Sequence, residues 1–116
     1  LYKVQQYILS HPNADLSVNA LANIAAMSPR NFTRVFTQEV GTSPAEYVDL
    51  TRIDVARFLL EGSRLSIDSI AAKSGFGSAR AMRRAFLAHL GALPSDYRDR
   101  FRTSGDGSRP TMSEIG

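Results

Sequence analysis

A chain of 116 residues is one ordinary domain's worth, or two very small lobes sharing a core. The apolar share of 43% fits a soluble globular protein, and no window approaches about 18 consecutive apolar residues, so a membrane span is excluded. The net charge is +3 with a pI near 9.7, and twelve of the fourteen cations are Arg, whose planar fork matches phosphates and guanine edges. The absence of Cys excludes disulfides, thiolate metal sites and cysteine nucleophiles, and fits a reducing cytoplasm.

No sustained alternation of apolar and polar residues occurs, so the ordered chain reads as helix. Tyr2 to Ser10 carries Val4, Tyr7 and Ile8 at helical spacing, and Pro12 stops it. Ser17 is a good N-cap for a helix holding Val18, Leu21, Ala22 and Ala25. Met27 to Pro29 is a turn: Ser28 caps, Pro29 takes the first helical position, and Gly41 ends the helix after Val40. Ser43, Pro44 and Glu46 form a capping-box signal for a helix lasting to Gly62, about 17 residues or roughly 25 Å. Its apolar residues (Tyr47, Val48, Leu50, Ile53, Val55, Ala56, Phe58, Leu59, Leu60) cover more than one stripe, which predicts burial on several sides, between two lobes.

Ser66 then caps a helix with Ile67, Ile70 and Ala71, and Gly75-Phe76-Gly77 turns the chain. Ser78 to Leu90 forms the next helix, Gly91 ends it, and Pro94 opens a last helix through about Phe101. Thereafter Gly, Ser, Pro and Thr dominate, and 102–116 reads as a disordered tail. The expected organisation is lobe one at 1–42, a linker helix at 43–62 and lobe two at 63–101. The fold class is all-α: two helix-turn-helix subdomains, about seven helices, bridged by the long linker.

The two lobes repeat. Leu16-Ser17-Val18 with Leu21-Ala22 returns as Leu65-Ser66-Ile67 with Ile70-Ala71, and Phe36, Gly41, Pro44 and Tyr47 return as Phe86, Gly91, Pro94 and Tyr97. The offset grows from 49 to 50 residues between these blocks, so one residue is added in the turn joining two short helices.

Within the second helix of each lobe, Phe32, Phe36 and Val40, and equivalently Met82, Phe86 and Leu90, share one face and read as core. Arg30, Asn31, Thr33, Arg34 and Thr37 point elsewhere, as do Arg80, Arg83, Arg84 and Leu87. A solvated face would explain an arbitrary set of arginines. These, however, lie on the helix that meets base edges in a helix-turn-helix. No acid occurs from Leu16 through Gln38 or from Ser69 through Leu93, whereas Glu46, Asp49, Asp54, Glu61, Asp96 and Asp99 lie on the linker and last helices. Acids swept from two equivalent segments point to a polyanion. Recognition helices about 34 Å apart enter successive major grooves, a span that one chain with a rigid linker can hold.

These residues resemble the AraC/XylS family of bacterial transcription regulators over about 1–101. The resemblance rests on Ile70-Ala71, Gly75-Phe76, Met82, Arg84, Phe86, Gly91, Pro94 and Tyr97-Arg98 at their spacing. The runs MSPRNFTRVF and GFGSARAMRRAF are similar to the subfamily carrying an N-terminal amidotransferase-like (PfpI-like) domain. The resemblance implies sequence-specific binding to double-stranded promoter DNA, usually activation, and RNA polymerase as a second partner. It implies base contacts from Arg30, Thr33 and Arg34 in lobe one, and from Ala79, Arg80, Arg83 and Arg84 in lobe two. Ala79 departs from the long polar residue common there and leaves only a methyl for thymine. Ala81 and Met82 replace a frequent aromatic residue and Phe.

Phosphate contacts are expected from Ser17, Asn31, Ser66 and Ser78, although capping explains the serines equally well. A sequence-neutral architectural binder and a helical protein-interaction module are the alternatives. His11 and His89 sit far apart at helix ends, and no phosphate loop or metal spacing appears, so no enzyme, cofactor or metal site is expected. The chain starts at Leu1 without a signal-peptide pattern and reads like part of a longer protein. Alone it is expected to be monomeric, with dimerisation left to an N-terminal domain.

Overall fold

Local capping chemistry decides where each helix begins. The computed structural model describes residues 1–106, with side chains described through Arg100. Seven helices and no strand occur among them: α1 (Tyr2–Ser10), α2 (Val18–Ile24), α3 (Pro29–Val40), α4 (Pro44–Gly62), α5 (Ile67–Ser74), α6 (Ala79–Leu90) and α7 (Pro94–Asp106). The helix starts at Ser17, Ser28, Ser66 and Ser78 all carry the expected cap. Each Oγ accepts the backbone N–H three residues on, from Ala20, Asn31, Ser69 and Ala81 at 3.1–3.3 Å. Ser43 caps α4 in the same way through Glu46 N–H. Each such cap stabilises its helix by about 1 kcal/mol.

The chain divides into two units, Leu1–Asp54 and Val55 onward, and the division falls inside α4. In the first unit, Val4, Ile8, Leu16, Leu21, Ala22, Phe32, Phe36 and Val48 form one core, with Tyr47 packed against it. Full burial of such a side chain is worth about 1.5–3 kcal/mol. The second unit buries Ile70, Ala71, Met82, Ala85 and Phe86. Met82 is fully buried where the first unit has Phe32, as expected for a side chain that adapts to irregular space.

The duplicated Phe, Gly, Pro and Tyr now have a common cause. Gly41 and Gly91 end α3 and α6 in the left-handed region. Pro44 and Pro94 then start the next helix and are fully buried. One turn further, Tyr47 meets Phe36 edge-on at 5.5 Å and Tyr97 meets Phe86 edge-on at 6.4 Å. Such ring pairs add about 0.5–1.5 kcal/mol beyond their buried area.

The turn before α3 differs from the turn before α6 by one residue, and both satisfy the same carbonyl. Ala22 O accepts Met27 N–H at 2.9 Å, and the equivalent Ala71 O accepts Gly77 N–H at 3.1 Å. In the first turn, Ala26 also donates to Asn23 O, completing a Schellman ending with Ala26 at φ 58°. An L-residue pays for that conformation, and the longer second turn places Gly75 and Gly77 at positive φ instead.

Three expectations need correction. Phe58 and Leu50 on α4 are 75% and 38% exposed, so the several-sided apolar pattern does not mean burial all round. Val48, Ile53, Ala56 and Leu60 are the buried positions, with Thr51 among them, its hydroxyl bonded to Tyr47 O. Leu90 is 40% exposed, and Ala85 lies in the core of α6 instead. α7 runs past Phe101 to Asp106, since no proline interrupts it before Pro110. The remainder of the expected tail, 107–116, lies outside the described residues.

Candidate nucleic-acid interface

In each unit the buried stripe of the second helix fixes what the opposite face presents. Phe32 and Phe36 point inward from α3, which leaves Arg30, Arg34, Thr37 and Gln38 exposed and Asn31 and Thr33 half-exposed. Met82, Ala85 and Phe86 point inward from α6, leaving Arg80, Arg83, Arg84 and Leu87 exposed. Ala79 is only half-exposed. With Arg83 it lines a cleft of about 270 Å³ completed by Ile67, Asp68, Pro94 and Ser95. Asp68 lies just outside the acid-free stretch of sequence, yet the fold brings it to the same cleft as Arg83.

Arg30, Arg80, Arg83 and Arg84 make no hydrogen bond or ion pair with any described residue. Arg34 differs: one terminal nitrogen donates to Asn31 Oδ1 at 2.5 Å and the other to Gln38 Oε1 at 3.4 Å. Asn31 therefore spends its carbonyl on Arg34. The hydroxyls of Ser17, Ser66 and Ser78 accept capping bonds, and the Ser17 hydroxyl also donates to the Asp15 carboxylate.

Other arginines that raise the chain's basicity work inside the fold. Arg52 donates to Pro12 O and Ala14 O at 3.0 and 3.1 Å, and burial pushes its pKa down. Arg98, 8% exposed, donates to Leu60 O, Ser63 O and Leu65 O at 3.4, 3.1 and 2.6 Å. Both hold the segment leading into a helix-turn-helix, and both come from the last helix that their unit contains. They sit in different registers: the repeat partner of Arg98 is Val48, one helical turn before Arg52. Arg57 donates to the Tyr97 hydroxyl at 2.9 Å and lies 5.4 Å from its ring centre, while that hydroxyl donates to Glu61 at 2.6 Å. Burial first, and the bond to Glu61 second, raise the Tyr97 pKa. Asp15 accepts Ser17 N–H at 3.0 Å, and that bond lowers its pKa. The sequence does not separate these structural arginines from the exposed ones, because their carbonyl partners are 33 to 40 residues away.

His11 closes α1, with Nδ1 3.1 Å from Tyr7 O and its ring stacked on Tyr7 at 4.5 Å, which accounts for it structurally. No group of three metal-ligating side chains occurs among the described residues, and no described helix is long and apolar enough to cross a membrane.

Two short helices, a tight turn and a cationic second helix, present in each of two units, define a protein of the double helix-turn-helix class. A helix-turn-helix domain family model matches residues 21–100. The chain is 48% identical over 84 residues to the HTH-type transcriptional regulator Rv1931c of Mycobacterium tuberculosis, covering 72% of this chain and 32% of that protein. It is 31% identical over 99 residues to the RCS-specific HTH-type transcriptional activator RclR of Escherichia coli, covering 85% of this chain and 35% of that one. Among solved structures it is similar to the DNA-binding domain of AdpA, a global transcriptional factor held in complex with a target DNA. That match has a TM-score of 0.83 at 35% identity and covers 88% of this chain and 92% of that one. The C-terminal domain of AraT, a response regulator from Geobacillus stearothermophilus, matches with a TM-score of 0.80 at 29% identity, covering 85% and 83%.

The chain belongs to the AraC-type helix-turn-helix family of transcription regulators, a family of DNA-binding proteins rather than enzymes. It spans about a third of the length of the curated relatives it matches.

Proposed function

We propose that this domain reads promoter DNA by placing α3 and α6 in successive major grooves. The observation that supports this most is the pair of exposed arginine faces on the second helix of each helix-turn-helix. Arg30, Thr33 and Arg34 read base edges from α3. Arg80, Arg83 and Arg84 do so from α6, with Ala79 contributing at most a methyl contact. The helix N-termini capped by Ser17, Ser66 and Ser78 offer backbone N–H groups to phosphates. α4, at 19 residues and roughly 28 Å long, joins the two helix-turn-helix units. The same reading makes the domain monomeric on DNA, and makes the whole protein an activator that contacts RNA polymerase.

A selection from random duplexes tests the DNA reading, followed by affinity for the winner and for scrambled DNA at two salt concentrations. Two enriched elements about 10 base pairs apart are expected. Salt-sensitive binding without enrichment would favour a sequence-neutral architectural binder. No binding at low salt would refute the DNA reading and leave a protein-interaction module. Activation is checked separately, by transcription from a promoter carrying the selected site, with and without the full-length regulator.

A further inference from the structure

The two arginines at equivalent repeat positions, Arg34 and Arg84, are held very differently. Arg34 is held along its own helix by Asn31 one turn before, at 2.5 Å, and at the weak limit, 3.4 Å, by Gln38 one turn after. The repeat partners of these two residues are Ala81 and Ala88, neither of which has a side chain able to accept a hydrogen bond. Arg84 is exposed and unbonded among the described residues. At the Thr33 position the second unit adds another cation, Arg83. α3 therefore carries one braced guanidinium and one unbraced, Arg30, whereas α6 carries three unbraced ones.

A guanidinium has five N–H donors. Two are used by Asn31 and Gln38, so three remain for a ligand, and the plane in which they lie is set before binding. A side chain immobilised in advance loses less freedom on binding, and its donors discriminate by angle as well as by charge. An unbraced arginine can turn to whichever oxygen is near, phosphate or base, and so contributes charge with less selectivity.

We infer that Asn31 and Gln38 are positioning residues for Arg34, and that this brace makes the first helix-turn-helix the stricter sequence reader while the second, lacking it, binds with looser base preference. The brace uses Asn31 Oδ1 and leaves its Nδ2 hydrogens to donate to a phosphate. The positioning role rests on the proposal that Arg34 meets a base edge, and the test separates the two ideas.

The experiment uses the full 116-residue chain, the selected duplex and every single-base variant of it, with affinities read by fluorescence anisotropy. Arg34→Ala first identifies the base pair that Arg34 reads, as the position whose preference flattens. The double variant Asn31→Ala/Gln38→Ala should then reduce discrimination at that same pair by about fivefold, leaving preference elsewhere unchanged. The transplant Ala81→Asn/Ala88→Gln should sharpen preference at the pair read from α6 by a similar factor. A brace explains that gain, whereas a purely structural role for Asn31 does not.

Equal weakening on all duplexes by Asn31→Ala/Gln38→Ala would overturn the inference and leave Asn31 as a phosphate contact alone. An unchanged profile in that variant would overturn it as well. If Arg34→Ala itself flattens no position, the base-reading role of Arg34 fails, and the brace fails with it for a separately visible reason.

Discussion

Arg98 offers the sharpest test of how the second unit is held together. The residue is 8% exposed, and its guanidinium donates to Leu65 O at 2.6 Å, Ser63 O at 3.1 Å and, at the weak limit, Leu60 O at 3.4 Å. These carbonyls lie at the end of α4 and in the segment leading into α5, where no helical N–H reaches them. Charge-assisted hydrogen bonds contribute about 1.5–3 kcal/mol each, and an orphaned buried acceptor costs about 1–3 kcal/mol. Counting the two good bonds at the low end, because water will reach part of the vacated space, Arg98→Ala should destabilise the fold by about 3–4 kcal/mol. That is a large part of the 5–15 kcal/mol typical of a domain.

Urea unfolding followed by far-UV circular dichroism reads the loss. With a slope of about 1–1.5 kcal/mol/M for a chain of this size, the midpoint should fall by about 2–4 M while the slope stays constant. Arg98→Lys should recover less than half, because a point charge cannot reach three carbonyls in one plane. A loss below about 1 kcal/mol, the range of an exposed surface pair, would refute the reasoning. So would full rescue by Lys, since then the fork geometry is not what holds the turn.

Arg52→Ala removes the analogous clamp on Pro12 O and Ala14 O. Its site is more open, so the expected cost is about 1.5–2.5 kcal/mol in the same urea assay. Ala26→Gly should stabilise the domain by about 1 kcal/mol, read as a raised melting temperature, because it relieves the left-handed conformation at φ 58°. Tyr97 has a raised pKa in the fold. Its stabilising effect is therefore complete below the ordinary phenol value of about 10 and is lost as pH rises through the folded value; Tyr97→Phe should remove that alkaline dependence. Asp68→Asn should raise affinity for all duplexes alike, by about fivefold at most at low salt, since a carboxylate leaves the cleft that Arg83 lines. It should also cost about 0.3–1 kcal/mol of stability, because Asp68 sits in the first turn of α5. A sequence-selective gain would contradict that electrostatic account.

What the chain's own order of residues determined is everything decided within about one helical turn. Ser17, Ser28, Ser66 and Ser78 cap because a side-chain oxygen reaches an N–H three residues away whatever the rest of the chain does. Gly41 and Gly91 end helices because only their backbones enter the left-handed region cheaply. The inward stripe of Phe32 and Phe36, and with it the outward face of Arg30 and Arg34, follows from helical periodicity alone. The repeat then carried that face to Arg80, Arg83 and Arg84.

Tertiary structure decided how chemically identical residues were divided among roles. Arg52, Arg57 and Arg98 read from the sequence as three more cations, and became internal clamps because the fold brings distant carbonyls or a phenol to them. Phe58 and Leu50 read as core and stayed exposed, since an apolar side chain is buried only if another element covers its side of the helix. Asp68 lies outside the acid-free stretch by one residue, and the packing of α5, α6 and the start of α7 nonetheless set it in the cleft beside Arg83. Periodicity states which way a side chain points from its own helix. What it meets there depends on contacts between residues far apart in the chain.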